Sequence, residues 1–163
     1  MKRNALLLAA ALVSALISAS CNGQVTGLGP ASDPAKETFV GTLGVNIAQM
    51  TKMPNGVYYL DLVTGNGTAA TSATDTITVN YAGYLKDGKL FDSGNNVKFN
   101  PAVLVVGFRT GIVGMKEGGR RKLVIPSSLG FGGVSQRGTD GKIKIPRQST
   151  LIFDVDLLTL HNP

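Results

Sequence analysis

The sequence predicts an α+β fold in which one antiparallel sheet is covered on its apolar face by a single short helix. Three observations predict it. Glycine supplies 21 of the 163 residues, about twice the usual share, so the chain turns often. From Pro54 onward, short apolar stretches recur between glycine-rich turns, several of them alternating with a period of two. Within that part of the chain only 107–115 reads as an amphipathic helix, with Phe108, Ile112 and Met115 on one side.

Residues 1–20 read as a secretory signal. Lys2 and Arg3 give a positive start, and Ala5 to Ile17 is apolar apart from Ser14, too short for a stable membrane span. Two cleavage readings stand. Ser18 and Ser20 suit an ordinary signal peptidase. The run LISASC resembles a bacterial lipobox, in which Cys21 is lipidated and becomes the new N-terminus, although Ser18 stands where a Leu is usual. The lipoprotein is the favoured reading, because a lone exported cysteine is a liability unless chemistry consumes it. Asn22 is not the Asp that retains enteric lipoproteins in the inner membrane, which leaves the outer membrane open.

Residues 21–53 then read as a lipidated N-terminus and a flexible linker (22–38, rich in Gly, Pro, Ser and Thr), followed by a segment of mixed signal over 39–53. Leu43, Ile47 and Met50 have helical spacing there, but two glycines weaken a helix, and a short strand is equally compatible. The domain proper spans 54–163. GVYYLDLV (56–63) is a strand and GNGTAATSATD a loop. TITVNYAGYL (76–85) alternates, with Ile77, Val79 and Tyr81 on one side, and KDGK (86–89) turns the chain through Asp-Gly. AVLVV (102–106) is a short buried run, and RRKLVIP (120–126) is a strand closed by proline. Residues 130–146 form a long glycine-rich loop. STLIFDVDLLTL (149–160) is a final strand with Leu151, Phe153, Val155 and Leu157 on one face and Asp154 and Asp156 on the other.

The scarce residues exclude familiar chemistries. One histidine (His161) and one cysteine leave no room for a His-based triad, a His-rich zinc site or a disulfide framework. The ten carboxylates form no tight calcium-binding cluster. No metal or cofactor is expected. Without Lys2 and Arg3 the chain keeps 14 basic against 10 acidic residues. The cluster Lys116, Arg120, Arg121, Lys122, with Arg137, Lys142, Lys144 and Arg147, reads as a solvated basic rim, and an exported chain is not expected to meet nucleic acid.

Three stretches together carry a family resemblance. VNYAGYLKDGKLFDSG (79–94), VLVVGFRTGIVGMKEGGRRKLVIPSSLGFGG (103–133) and IPRQSTLIFDVDLL (145–158) resemble the FKBP family, the macrolide-binding peptidyl-prolyl cis/trans isomerases. The resemblance covers about residues 54–160. It implies a curved antiparallel sheet of about five strands wrapped around one short helix, with a ligand pocket between them. Carried over by position, Tyr81, Asp92 and Phe131 are the implied catalytic residues. Phe91, Phe99, Leu104, Val105, Phe108, Ile145 and Phe153 are the implied substrate-binding residues, Val105 through its backbone N–H. Asp92 faces the twisted carbonyl or orients Tyr81 in that reading; read alone, it closes a turn. Each aromatic read alone is as well a core residue.

The chain departs from the family pattern in three places. Phe108 stands where a Trp usually floors the pocket. Phe131 stands where a Tyr hydroxyl usually bonds substrate, a loss of one hydrogen bond, about 0.5–1.5 kcal/mol. The segment after Phe99 is shorter and the loop 132–145 longer than the pattern. The implied function is isomerisation of Xaa-Pro bonds in unfolded or partly folded exported proteins by a monomer able to take macrolide ligands, anchored through Cys21 and facing the periplasm or cell exterior. A soluble periplasmic form is the other localisation. The rival function is a non-catalytic chaperone or binding module of the cell envelope that holds clients with the long loop.

Overall fold

The computed structural model describes residues 29–161. The signal segment 1–20, Cys21 and the first part of the linker lie outside the described residues. Among the described residues, eight strands and one α-helix follow in the order β1 (Thr51–Lys52), β2 (Tyr58–Val63), β3 (Thr76–Tyr84), β4 (Leu90–Phe99), α1 (Val106–Gly111), β5 (Arg120–Ile125), β6 (Gln136–Arg137), β7 (Ile143–Ile145) and β8 (Leu151–His161). Six of them form one curved antiparallel sheet in the order β1-β2-β5-β8-β3-β4, wrapped around α1. The expected fold class holds, with β1 as a two-residue extension of the sheet.

The alternation of β5 and β8 fixes the core. Leu123 and Ile125 on β5, and Leu151, Phe153, Val155 and Leu157 on β8, enter one cluster with Phe108, Ile112 and Met115 from the helix and the turn after it. Val124 and Ile152 face the other way and are fully buried as well. A strand buried on both faces needs a second cover, and here the N-terminal arm supplies it. Phe39, Leu43, Val45, Ile47 and Met50 pack on Tyr58, Leu60, Tyr84, Val124 and Ile152. The linker expected over 22–38 is therefore not free at its described end. Residues 29–50 lie on the domain through three single 3-10 turns, Pro34–Lys36, Gly41–Leu43 and Ile47–Gln49. Residues 51–52 take the strand option for the mixed segment and pair with Tyr58 and Tyr59.

Four other expectations are corrected. The helix is six residues long, with Ile112 and Met115 buried beyond its end. Residues 102–106 are not a buried run. A 3-10 turn at Pro101–Val103 leads into α1, and Val103 is 75% exposed. The long loop carries its own two-stranded ribbon, β6 with β7. The basic rim is partly interior. Arg121 is buried, its guanidinium 4.2 Å from the Tyr59 ring. It donates to both Asp61 carboxylate oxygens (2.6 and 3.0 Å) and to the carbonyls of Gly111 and Val113 (2.9 and 3.0 Å). It thus fastens the C-terminal end of α1, whose last carbonyls lack helical partners. Lys122 is buried against Asp154, its cross-strand neighbour, while Arg120 pairs with Asp156 at the surface.

Candidate active site

The pocket is built where α1 meets the concave face of the sheet. Val105 caps the helix with extended dihedrals (φ −59°, ψ 145°), so its N–H stands outside the helix's own hydrogen-bond ladder. Three residues later Phe108 points down into the sheet and is buried. Gly107 allows this approach: a Cβ there would lie 2.2 Å from Ile125 Cγ2. The Phe108 ring meets Phe153 at 5.0 Å, Phe99 at 6.4 Å and Tyr81 at 6.5 Å between centroids, all edge-on. Phe91 stands edge-on to Phe153 at 5.4 Å, and Tyr81 lies tilted to Phe99 at 5.4 Å. Edge-to-face pairs of this kind are favourable beyond the area they bury.

These rings enclose a cavity of about 170 Å³ lined by Tyr81, Phe91, Asp92, Phe99, Val103, Leu104, Val105, Phe108, Phe131 and Phe153. Every catalytic or substrate-binding residue expected from the sequence lies on it except Ile145, which is buried in the main core cluster and is not among the lining residues. Ile145 ends β7 with its side chain packed inward, whereas Phe131 reaches the cavity from the start of the same long loop. Val103 joins the lining unforeseen, since the short apolar run it belongs to reads as buried core.

One polar pair marks the wall. The Tyr81 hydroxyl donates to Asp92 Oδ2 at 2.9 Å. Burial and this bond to a carboxylate push the Tyr81 hydroxyl up to about 12, so it stays protonated across ordinary pH. Of the alternatives for Asp92, the geometry displays the contact with Tyr81. Gly83 is a second residue that sequence reading passed over. A Cβ there would lie 2.7–2.8 Å from the rings of Phe91 and Phe153, so β3 must be bare where those rings cross it. The only clue in the sequence is a glycine interrupting an alternating strand.

His161 is bonded to Thr78 (2.9 Å) at the end of β8 and takes no part in the cavity. Among the described residues no cluster of three or more His, Cys, Asp or Glu side chains is placed to hold a metal. A larger depression of about 350 Å³ lies among Arg120, Lys122, Asp154 and Asp156, but its walls are ion-paired.

A short helix packed across a curved antiparallel sheet, with an aromatic cavity between them, defines a ligand-binding α+β domain. Comparison with known proteins makes the class specific. Residues 67–158 match the model of the FKBP-type peptidyl-prolyl cis-trans isomerase family. An FK506-binding protein of Neisseria meningitidis is 40% identical over 107 residues, covering 62% of this chain and 93% of that protein. FK506-binding protein 4 of Rhizopus delemar is 38% identical over 117 residues, 69% of this chain. The chain spans only 29% of that fungal relative's length. The crystal structure of FkpA from Escherichia coli superimposes with a TM-score of 0.59 at 36% identity, covering 69% of this chain and 51% of that one. The chain belongs to the FKBP-type peptidyl-prolyl cis-trans isomerase family.

Proposed function

We propose that this chain catalyses cis/trans isomerisation of Xaa-Pro bonds in unfolded or partly folded exported proteins. The observation that carries the reading is the cavity: five phenylalanine rings and Tyr81 around a space open to a prolyl ring, beside the N–H at the cap of α1. The Xaa-Pro bond turns slowly because rotation interrupts amide resonance, a barrier of about 18–20 kcal/mol for a peptide bond. At the twisted midpoint the C–N dipole is smaller than in the planar amide, so water favours the ground state. A dry aromatic slot removes that advantage, and fixed donors hold the flanking carbonyls as the bond turns. No bond to substrate is formed or cleaved.

In this scheme Phe108 floors the slot, Phe91, Phe99, Phe153 and Phe131 form its walls, Leu104 closes one side and the Val105 N–H takes a substrate carbonyl. Asp92 holds Tyr81 in place. Ile145 acts from the core, by supporting the wall. A protease-coupled assay on a Xaa-Pro peptide tests the proposal. Acceleration at sub-micromolar protein is expected, and none at micromolar protein would refute it. The same pocket offers a site for macrolide ligands, read by calorimetry.

The setting is proposed on the leader: a signal over 1–20 and lipidation of Cys21, with the catalytic domain, a monomer, facing the periplasm or the exterior. Seven residues (22–28) lie between Cys21 and Gly29, where the described arm begins, so over the eight residue steps the tether reaches at most about 28 Å. Mass spectrometry of the mature N-terminus decides between lipid-bearing Cys21 and ordinary cleavage. A second reading, a non-catalytic client-binding module, is favoured by Phe131, which brings no hydroxyl, and by exposed Val103, Val134 and Ile143. It predicts suppression of aggregation without acceleration of proline turnover.

A further inference from the structure

We propose that the N-terminal arm positions the catalytic pocket, through a clasp of Ser32, Ser127 and Gln148 at the root of the loop that carries Phe131. This rests on the isomerase reading given above. Ser32 and Ser127 exchange a reciprocal pair of bonds. The Ser32 N–H donates to Ser127 Oγ at 2.8 Å and the Ser127 N–H donates to Ser32 Oγ at 2.7 Å. Ser127 Oγ in turn donates to Gln148 Oε1 at 2.9 Å, and Gln148 Nε2 donates to the Gly29 carbonyl at 3.0 Å. Ser127 is fully buried, so water does not readily replace these partners.

The clasp sits next to the pocket wall. The Gly132 N–H donates to the Ser127 carbonyl at 2.8 Å, and the Gly132 carbonyl accepts the Gln148 N–H at 2.7 Å. The residue beside Phe131 is thereby hooked to both ends of the loop, Ser127 and Gln148. Gln148 holds φ +58°, a left-handed conformation that a side chain disfavours, and its side chain is tied on both polar atoms. Further along, the arm spans to the turn before Phe91 and Asp92: the Val40 N–H donates to the Lys86 carbonyl at 3.0 Å. The arm therefore touches the supports of two segments that line the pocket, the one with Phe131 and the one with Phe91 and Asp92, while its apolar residues cover the sheet.

Ser32→Ala in the full chain tests this, with Ser32→Thr as the rescuing variant and Leu43→Ala as a control that weakens the arm's apolar contact only. Ser32→Ala is expected to raise KM for a Xaa-Pro peptide about three- to tenfold with kcat nearly unchanged, the fold-change of one lost hydrogen bond. It is also expected to speed amide exchange at Gly132 and Gln148 at least tenfold. Ser32→Thr should restore both, and Leu43→Ala should lower Tm without moving KM. Unchanged KM with unchanged exchange in Ser32→Ala would overturn the proposal. So would an equal rise in KM in Leu43→Ala at a matched loss of Tm, which reduces the arm to a stabilising cover. Should the wild type not turn over proline at all, the isomerase reading fails separately and exchange at Gly132 alone decides whether the clasp holds the loop.

Discussion

Gly83→Ala probes the pocket by a single methyl group. The backbone there is not left-handed, so alanine adopts it freely, and the added Cβ meets Phe91 Cζ at 2.7 Å and Phe153 Cε1 at 2.8 Å. Ordinary contact begins near 3.4 Å, so the two rings must retreat by about 0.7 Å. Phe153 is backed by Phe108 at 5.0 Å and Phe91 by Phe153 at 5.4 Å, and the free direction is the cavity of about 170 Å³. Overpacking of this size costs about 1–3 kcal/mol. The lost freedom of the unfolded chain offsets about 0.4–1 kcal/mol of it. The net expectation is a destabilisation of about 0.5–2 kcal/mol in urea unfolding. Displaced rings in a slot that works by shape should lower kcat/KM about ten- to a hundredfold. A variant as stable as wild type, with kcat/KM within twofold, would refute both the packing argument and the role given to the rings.

Four further outcomes are expected. Arg121→Met removes the partner of Asp61 and of the Gly111 and Val113 carbonyls and should cost about 2–4 kcal/mol in urea unfolding; a loss under 1 kcal/mol would show that α1 is held by packing alone. Tyr81→Phe and Asp92→Asn should be non-additive in a double-mutant cycle on kcat/KM, with a coupling of about 1 kcal/mol; additivity would mean the 2.9 Å bond does not form in solution. Because the Tyr81 hydroxyl is pushed up to about 12, its share of stability is complete below the unfolded pKa near 10 and is lost as pH rises towards 12. Spectrophotometric titration should find one tyrosine ionising last, and the isomerase rate should show no tyrosine titration below pH 9.5; a step below that pH would contradict the bond to Asp92. Phe131→Tyr adds a hydroxyl at the cavity wall and should tighten ligand binding up to about tenfold by calorimetry; weaker binding would place that ring elsewhere.

The strands were legible in the sequence because burial on one face leaves a period of two, as in Ile77 and Val79 or Leu151 to Leu157. The pocket was legible because its aromatics sit at fixed places on those strands and on one helix. The arm was hidden for the opposite reason. Leu43, Ile47 and Met50 carry a helical spacing, but they fall in or beside two separate 3-10 turns, so that spacing pointed to no continuous element that could be read as a cover. The need for a cover was nevertheless written in Val124 and Ile152, apolar residues at positions that face away from the main core. Arg121 and Lys122 read as surface because charge is read before pairing; register with Asp61 and Asp154 is what takes them inside. Ile145 illustrates the limit of carrying positions across a loop whose length differs: the residue type matched, and the ribbon of β6 and β7 turned its side chain into the core.

The central claim is that an aromatic cavity beside α1 lets a prolyl bond rotate without covalent chemistry. Exchange spectroscopy by NMR on a short Xaa-Pro peptide, with a small fraction of isotope-labelled protein present, tests it most directly. Cis–trans exchange cross-peaks should appear at that low protein level, with shift changes confined to Tyr81, Phe91, Phe99, Phe108, Phe131 and the Val105 amide. Exchange no faster than in the free peptide, or acceleration with shifts centred away from those residues, would contradict the account.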